Sequence, residues 1–323
     1  MTSFSFGAYC TAAVFDGGRA VWALGDGTVR DEDGLAAGAH DGAVLAAAVH
    51  PKGGILSGGD DGRVVLTRGG AAQMLAELPA GRWVERLAVS AASNLLAFAS
   101  GRELHVRDLA DTRFARVFPH ERSVADLAFD SGGRRIAVAT YGGAQVWLAR
   151  IAEQRPTLLR YAGSHVAVSF SPDGRFLMSA MQDNQLHGWR LSDGKDMRMG
   201  GYPAKVKSLS WLDDGPLLAA SGAHWVLVWP FGGANGPVGK EASEMGVNES
   251  CKVTLVAGAL KGTLLAAGTD DGRVWMADLR ASRREYLKAE KGAPVTALAL
   301  SADARRIAWG DEDGEAGVAE TPL

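Results

Sequence analysis

The chain has 323 residues and a formal net charge of −3, with 47% of its residues hydrophobic and 22% charged. That apolar share is enough for a packed core and excludes a disordered chain, while the slight net acidity gives no general pull toward nucleic acid or anionic lipid. Two cysteines are too few for a disulfide framework, and no run approaches the ~20 apolar residues that span a bilayer.

The first 15 residues lack a basic start followed by a continuous apolar stretch, so they do not read as a secretory signal. The expectation is a soluble cytoplasmic protein, with Cys10 and Cys251 as free thiols in a reducing compartment. Ser3-Phe4-Ser5-Phe6 alternates as a strand should. After it one pattern recurs eight times: an apolar run, a tight polar turn, a second apolar run, a turn rich in Asp and Gly, and a third extended segment. The first turns are Asp16-Gly17-Gly18, Pro51-Lys52-Gly53, Ala91-Ala92-Ser93, Ser131-Gly132-Gly133, Pro172-Asp173-Gly174, Asp213-Asp214-Gly215, Leu260-Lys261-Gly262 and Ala302-Asp303-Ala304. A period of about 40 residues built from short strands is the signature of a β-propeller.

Aligning the units on these turns shows what the first strands are written for. Ala13, Ala48, Ala88, Ala128, Ser169, Ser210 and Ala299 stand three residues before the turn, and Thr11, Ala46, Ala167, Ser208 and Ala297 two further back. Between and after them stand larger residues such as Leu87, Val168, Phe129, Phe170 and Trp211. A two-residue period of small against bulky suits strands that crowd together at a hub on one face. Arg86 and Asp126 break the rule at equivalent places, and they either pair or reach solvent as independent charges. Fourth strands are expected at 71–78, 113–118, 157–161 and 285–288, and near 240–245 inside the lengthened link 232–250. The eighth unit has none, and the strand at 3–6 is expected to complete it and cover its open edge. The fold class expected is therefore all-β, one propeller domain over 1–323 with eight four-stranded blades, seven being the alternative.

With the strands placed, the chain resembles the WD-repeat β-propeller family along essentially its whole length. Ser169-Phe170-Ser171-Pro172-Asp173-Gly174, Asp60-Asp61-Gly62-Arg63-Val64 and Asp270-Asp271-Gly272-Arg273-Val274 carry the likeness. The family's Trp-Asp pair is split: Trp147, Trp189 and Trp229 keep the Trp, Asp33, Asp108 and Asp278 keep the Asp, and no unit keeps both. The histidine that the family places before the first strand corresponds to His40 and His120. The resemblance implies a platform for protein assembly, with its His-Ser-Asp-Trp hydrogen-bond network incomplete wherever the Trp is lost.

Catalytic signatures do not emerge. The sequence has no nucleophile elbow, zinc-binding histidine pair or phosphate-cradling loop, its 42 glycines fit two turns per unit, and its seven histidines are scattered. No cofactor or metal is expected: Asp31-Glu32-Asp33 and Asp311-Glu312-Asp313-Gly314-Glu315 are read as tight hairpins rather than calcium loops.

Charge along the loops is uneven. One half of the units carries Asp26, Asp41, Asp60, Asp61, Asp270, Asp271, Asp311, Glu312 and Asp313. The other carries Arg82, Trp83, Arg102, His120, Arg122, Tyr141, His165, Tyr202, Lys205, His224 and Trp225. Trp, Tyr and Arg dominate interface energies. The expected partner-binding residues are therefore Arg82, Trp83, Arg102, Arg122, Tyr141, Tyr202, Lys205, His224 and Trp225, docking a protein or peptide of acidic character. The function expected is a non-enzymatic interaction scaffold. An accessory subunit of an RNA-modifying or other enzyme complex, and a propeller enzyme with a metal or ligand in its channel, are the alternatives.

Overall fold

The computed structural model describes residues 1–212, 216–246, 250–259, 261–281 and 283–321. The turn Asp213-Asp214-Gly215, Leu260 of the seventh turn, and residues 247–249 of the 232–250 link lie outside the described residues. The strands belong to two compact units, one of 37–200 and one of 1–36 with 201–323.

In the second of these units β1 (Thr2–Ser5) opens the chain, and β2 (Cys10–Asp16), β3 (Arg19–Leu24), β4 (Thr28–Asp31) and β5 (Ala36–Gly38) follow as one sheet. The 37–200 unit holds three sheets. The first is β6 (Val44–Val49), β7 (Ile55–Gly59), β8 (Arg63–Arg68) and β9 (Ala71–Glu77). The next is β10 (Arg86–Ser90), β11 (Leu95–Ser100), β12 (Glu103–Asp108) and β13 (Ala115–Pro119). The last is six-stranded: β14 (Asp126–Phe129), β15 (Arg135–Leu148), β16 (Thr157–Phe170), β17 (Phe176–Met181), β18 (Leu186–Arg190) and β19 (Asp196–Met199). The remaining sheets are β20 (Leu209–Leu212) to β21 (Leu217–Ala220), β22 (Val226–Pro230) and β23 (Ser243–Met245), and β24 (Val253–Gly258) to β25 (Leu264–Thr269), β26 (Val274–Asp278) and β27 (Arg283–Lys288). β28 (Val295–Leu300), β29 (Arg306–Asp311) and β30 (Glu315–Glu320) form the final sheet, and β1 completes it. The expected N-terminal supplement is thus present, with Thr2 opposite Val318 and Ser5 opposite Glu315. The strand expected near 240–245 is β23.

Up-and-down antiparallel sheets of this kind are propeller blades; among the described residues the sheets number seven, against the eight blades expected. The fourth and fifth sequence units share the six-stranded sheet. β15 folds back at Tyr141–Gly143, as the bond from Ala149 N–H to Arg134 O (2.9 Å) shows. The backbone of Tyr141 then pairs with Ser164, while β16 runs on from its pairing with β15 to its pairing with β17. That bridge at the hairpin tip is what merges two units into one sheet.

Burial follows strand position. All six residues of β11 and of β17 are buried, whereas nearly all of β9 is exposed. Trp22, Trp189, Phe98 and Phe176 are among the largest fully buried side chains, each worth ~1.5–3 kcal/mol of apolar transfer or more. Turn chemistry fixes the registers. Gly62 and Gly272 adopt φ of 79° and 83°, and a Cβ would come within 2.7 Å of Arg82 O in the first case and of Ala293 O in the second. No other residue fits either place without distortion.

The polar exceptions on the first strands have a shared role. Arg86 Nε donates to Ala125 O (3.0 Å), and Asp126 Oδ2 accepts from Val168 N–H (2.9 Å). In the other unit Ser208 Oγ accepts from Val256 N–H (3.1 Å), Thr254 Oγ1 donates to Val295 O (3.1 Å), and Thr296 Oγ1 donates to Cys10 O (2.7 Å). Arg86, Ser208, Thr254 and Thr296 each stitch one sheet to the backbone at the next, while Asp126 joins β14 to β16 within the six-stranded sheet. Arg86 and Asp126 also approach one another, at 4.0 Å, as the pairing expectation required.

Candidate functional site

The histidines and aromatics near the loops divide into those the fold consumes and those it leaves. His40 Nδ1 lies 3.0 Å from Asp61 Oδ1 and its Nε2 2.9 Å from Ser57 Oγ, reproducing three members of the expected network, while Thr67, opposite Ile55, stands where Trp189 stands opposite Leu177. Burial opposes ionisation of Asp61, but hydrogen bonds from Arg63 N–H and His40 outweigh it and hold its pKa below the usual range. Trp147 Nε1 donates to His120 Nε2 (3.1 Å). Because an indole N–H can only donate, His120 presents its bare nitrogen there and is neutral, and burial lowers its pKa accordingly. His165 meets Ser179 Oγ at 2.7 Å and lies 5.5 Å, ring centre to ring centre, from Trp189. The sequence reading overlooked this network, although Ser179 and Trp189 stand in the register that marks it.

Tyr202 is corrected in the same way. Only 6% of it is exposed, and its hydroxyl accepts from Trp229 Nε1 at 2.7 Å. It takes the place that His120 holds beside Trp147, so it is a core residue and not a surface contact. Burial drives its phenol pKa upward.

The acidic loops are also structural. Asp311 Oδ1 accepts from Asp313 and Glu315 N–H, and Asp31 Oδ1 from Asp33 and Leu35 N–H. Glu32 is held by Arg306 through two oxygens, at 2.8 and 2.5 Å. Among the described residues, no group of three or more His, Cys, Asp or Glu is placed to hold a metal ion.

Of the nine residues expected to bind a partner, five lie in the 37–200 unit and four in the other. In the latter, Lys205 and Trp225 are half-buried alongside buried Tyr202, and half-buried His224 holds Cys251 O through Nδ1 at 2.7 Å. The 37–200 unit presents the rest. Trp83 is 54% and Tyr141 64% exposed, unusual values for side chains of that size. Arg82 pairs with Glu103 at 2.6 Å and reaches toward the Gly101 turn next to Arg102. Arg122 and Tyr141 line one cleft of about 540 Å³, together with Pro119, Glu121, Arg155, Leu158 and Arg160. Among the described residues, the side chains of Arg102, Arg122, Arg155 and Arg160 have no hydrogen bond or ion pair. Arg155 and Arg160 escaped the sequence reading because they fall on and before a fourth strand, outside the loops it compared.

The blades define the class as a β-propeller. A chain of the computationally designed Ika8 protein matches with a TM-score of 0.79 over 98% of both chains at 20% identity. A chain in the Mitotic Checkpoint Complex crystal structure matches with 0.69 over 86% of this chain and 87% of that one, at 16% identity. The family described as WD domain, G-beta repeat matches residues 36–67 and 157–190. Those two stretches carry WD repeats. SEC12-like protein 2 of Arabidopsis thaliana is 25% identical over 167 residues, 50% of this chain and 42% of that protein. Eukaryotic translation initiation factor 3 subunit I of Neosartorya fischeri is 26% identical over 168 residues, 48% of this chain and 49% of that protein. The chain thus matches about half the length of these relatives or less.

Proposed function

We propose that this chain is a non-catalytic protein-interaction scaffold whose loop surface on the 37–200 unit docks a protein or peptide of acidic character. The observation that carries the reading is the company of exposed Trp83 and Tyr141 with Arg102 and Arg122, whose charges have no partner in the described chain. Proteins normally pair or hydrate such charges, and aromatic-arginine surfaces supply the anchors of interfaces. A reducing, cytoplasmic setting belongs to the same proposal and is supported by two buried free thiols.

Affinity recovery from a lysate of the source cell, followed by quantitative mass spectrometry, compares wild type with a Trp83→Ala/Arg102→Glu variant of equal melting temperature. A partner held by wild type and lost by the variant supports the scaffold and its surface. Equal recovery by both keeps a scaffold and rejects the surface. Arg102 is preferred to Arg82 for reversal, because a Glu at 82 would face Glu103 and disturb the fold itself.

A second reading, a subunit of a larger assembly including an enzyme complex acting on RNA, draws on the names of matched proteins: one is a subunit of a translation initiation factor and another lies in the Mitotic Checkpoint Complex. Salt-dependent retention of RNA separates it from the first.

A further inference from the structure

We infer that the cleft lined by Arg122, Tyr141, Arg155, Leu158 and Arg160 is the docking groove for an acidic linear peptide, with carboxylates on the three guanidiniums and an apolar side chain against Tyr141 and Leu158. This rests on the scaffold reading and gives it an address and a ligand class.

Charge comes first. Glu121 is the one acidic residue among those lining the cleft, and none of the three arginine side chains is paired within the described chain. Several arginines elsewhere are closely neutralised: Arg63 meets Asp41 and Glu77, Arg135 meets Asp130, Arg150 meets Asp108, and Arg273 meets Asp271. Three unpaired guanidiniums around one concavity therefore form a local surplus of bidentate donors, suited to carboxylates.

The groove is also rigid before anything binds. The loop leading to Arg155 is pinned by Gln154, whose Oε1 accepts from Leu148 N–H (2.9 Å) and whose Nε2 donates to Leu148 O (2.7 Å) and Ile151 O (2.6 Å). Pro156 then fixes the backbone at the entry to β16. Arg160 stands on that strand opposite Gly143, where φ is 137° and a Cβ would meet Leu159 O at 2.1 Å. Tyr141 is held at the hairpin tip by the pairing with Ser164. A ligand thus meets arginines whose backbones are already placed, which lowers the entropy cost of binding.

Shape and apolar content select a peptide over a free anion. About 540 Å³ exceeds what a single carboxylate or phosphate fills. Tyr141 at 64% and Leu158 at 48% exposure offer apolar area beside the charges. A segment that alternates acidic and apolar side chains satisfies both.

The test is a selection of a random linear peptide library on the full chain, with the enriched peptides resynthesised, labelled and titrated by fluorescence anisotropy. Enrichment of acidic peptides carrying an aliphatic or aromatic residue is expected. Their affinity should fall at least about tenfold in Arg155→Glu/Arg160→Glu and clearly in Arg155→Gln/Arg160→Gln, and should weaken with added salt. Both variants replace exposed, unpaired side chains, so unchanged melting temperatures are expected alongside. Enrichment without acidic bias, or winners that bind both variants as tightly as wild type, overturns the inference. If the winners are acidic but are lost only in Trp83→Ala/Arg102→Glu, the scaffold reading survives and the cleft does not. RNA retained through Arg155 and Arg160 with no peptide enriched overturns it too.

Discussion

Replacing Asp126 by Asn should stabilise the protein at pH 8, about half as much at pH 5, and leave it nearly unchanged below about pH 4. Burial raises the Asp126 carboxyl from its ordinary 3.8 to about 6, only partly offset by the Val168 N–H bond and by Arg86. Arg86 helps little because it is 4.0 Å away with a side chain 47% exposed. The folded state therefore binds a proton more tightly than the unfolded chain does. Between pH 4 and 6 the folded state carries more protons, so stability falls as pH rises through that window. Above it the ionised carboxylate costs at most about 3 kcal/mol, at ~1.4 kcal/mol per pH unit, and less in practice because a quarter of the side chain reaches solvent. Asn keeps an oxygen for Val168 N–H and removes the charge. The expected gain is ~1–2 kcal/mol at pH 8, about half of that at pH 5 and near zero only below about pH 4, read from urea unfolding of both proteins at several pH values. Taking the difference between the two proteins cancels the histidines, which titrate in both. A gain that does not vary with pH, or an Asn variant less stable at pH 8, would refute the assignment of a burdened carboxylate at this junction.

Two further outcomes follow from groups that the fold consumes. Tyr202→Phe leaves the Trp229 indole N–H without its acceptor. It should cost ~1–3 kcal/mol of unfolding free energy while partner binding stays intact, and a loss of binding with unchanged stability would return Tyr202 to the surface set. Cys10 is fully buried, and burial, with Asp311 adding to it, pushes its thiol up to about 12. At pH 8 an aromatic disulfide reagent should therefore label Cys10 only on unfolding, and rapid labelling of the native protein would contradict the packing described.

What was legible in the sequence was the repeat, because turn residues and two-residue periodicity are local signals. The strand at the N-terminus, the fourth strand near 240–245 and the approach of Arg86 to Asp126 could all be read from register alone. The blade count could not, because the merger depends on one backbone bridge between Tyr141 and Ser164 that leaves no mark on composition. Tyr202 was misplaced for a related reason. A polar aromatic in a loop reads as exposed until the indole that needs it, on a strand 27 residues away, is brought to its hydroxyl. Arg155 and Arg160 were passed over because the loops were compared and the outer strands were not.

The acidic and basic loops looked like equal and opposite signals in the sequence, yet they differ in kind. Asp31, Asp61, Asp271 and Asp311 accept backbone N–H or side-chain hydroxyl groups within their own turns. Their removal would unmake hairpins, so their acidity reports folding and carries no information about a partner. The side chains of Arg102, Arg122, Arg155 and Arg160 bond nothing in the described chain, and the fold gains no hydrogen bond from them. A cationic side chain beside a cleft without a partner repels its like neighbours. The asymmetry between consumed acids and unconsumed arginines is therefore the better guide to where this scaffold meets another molecule than the charge count of either half.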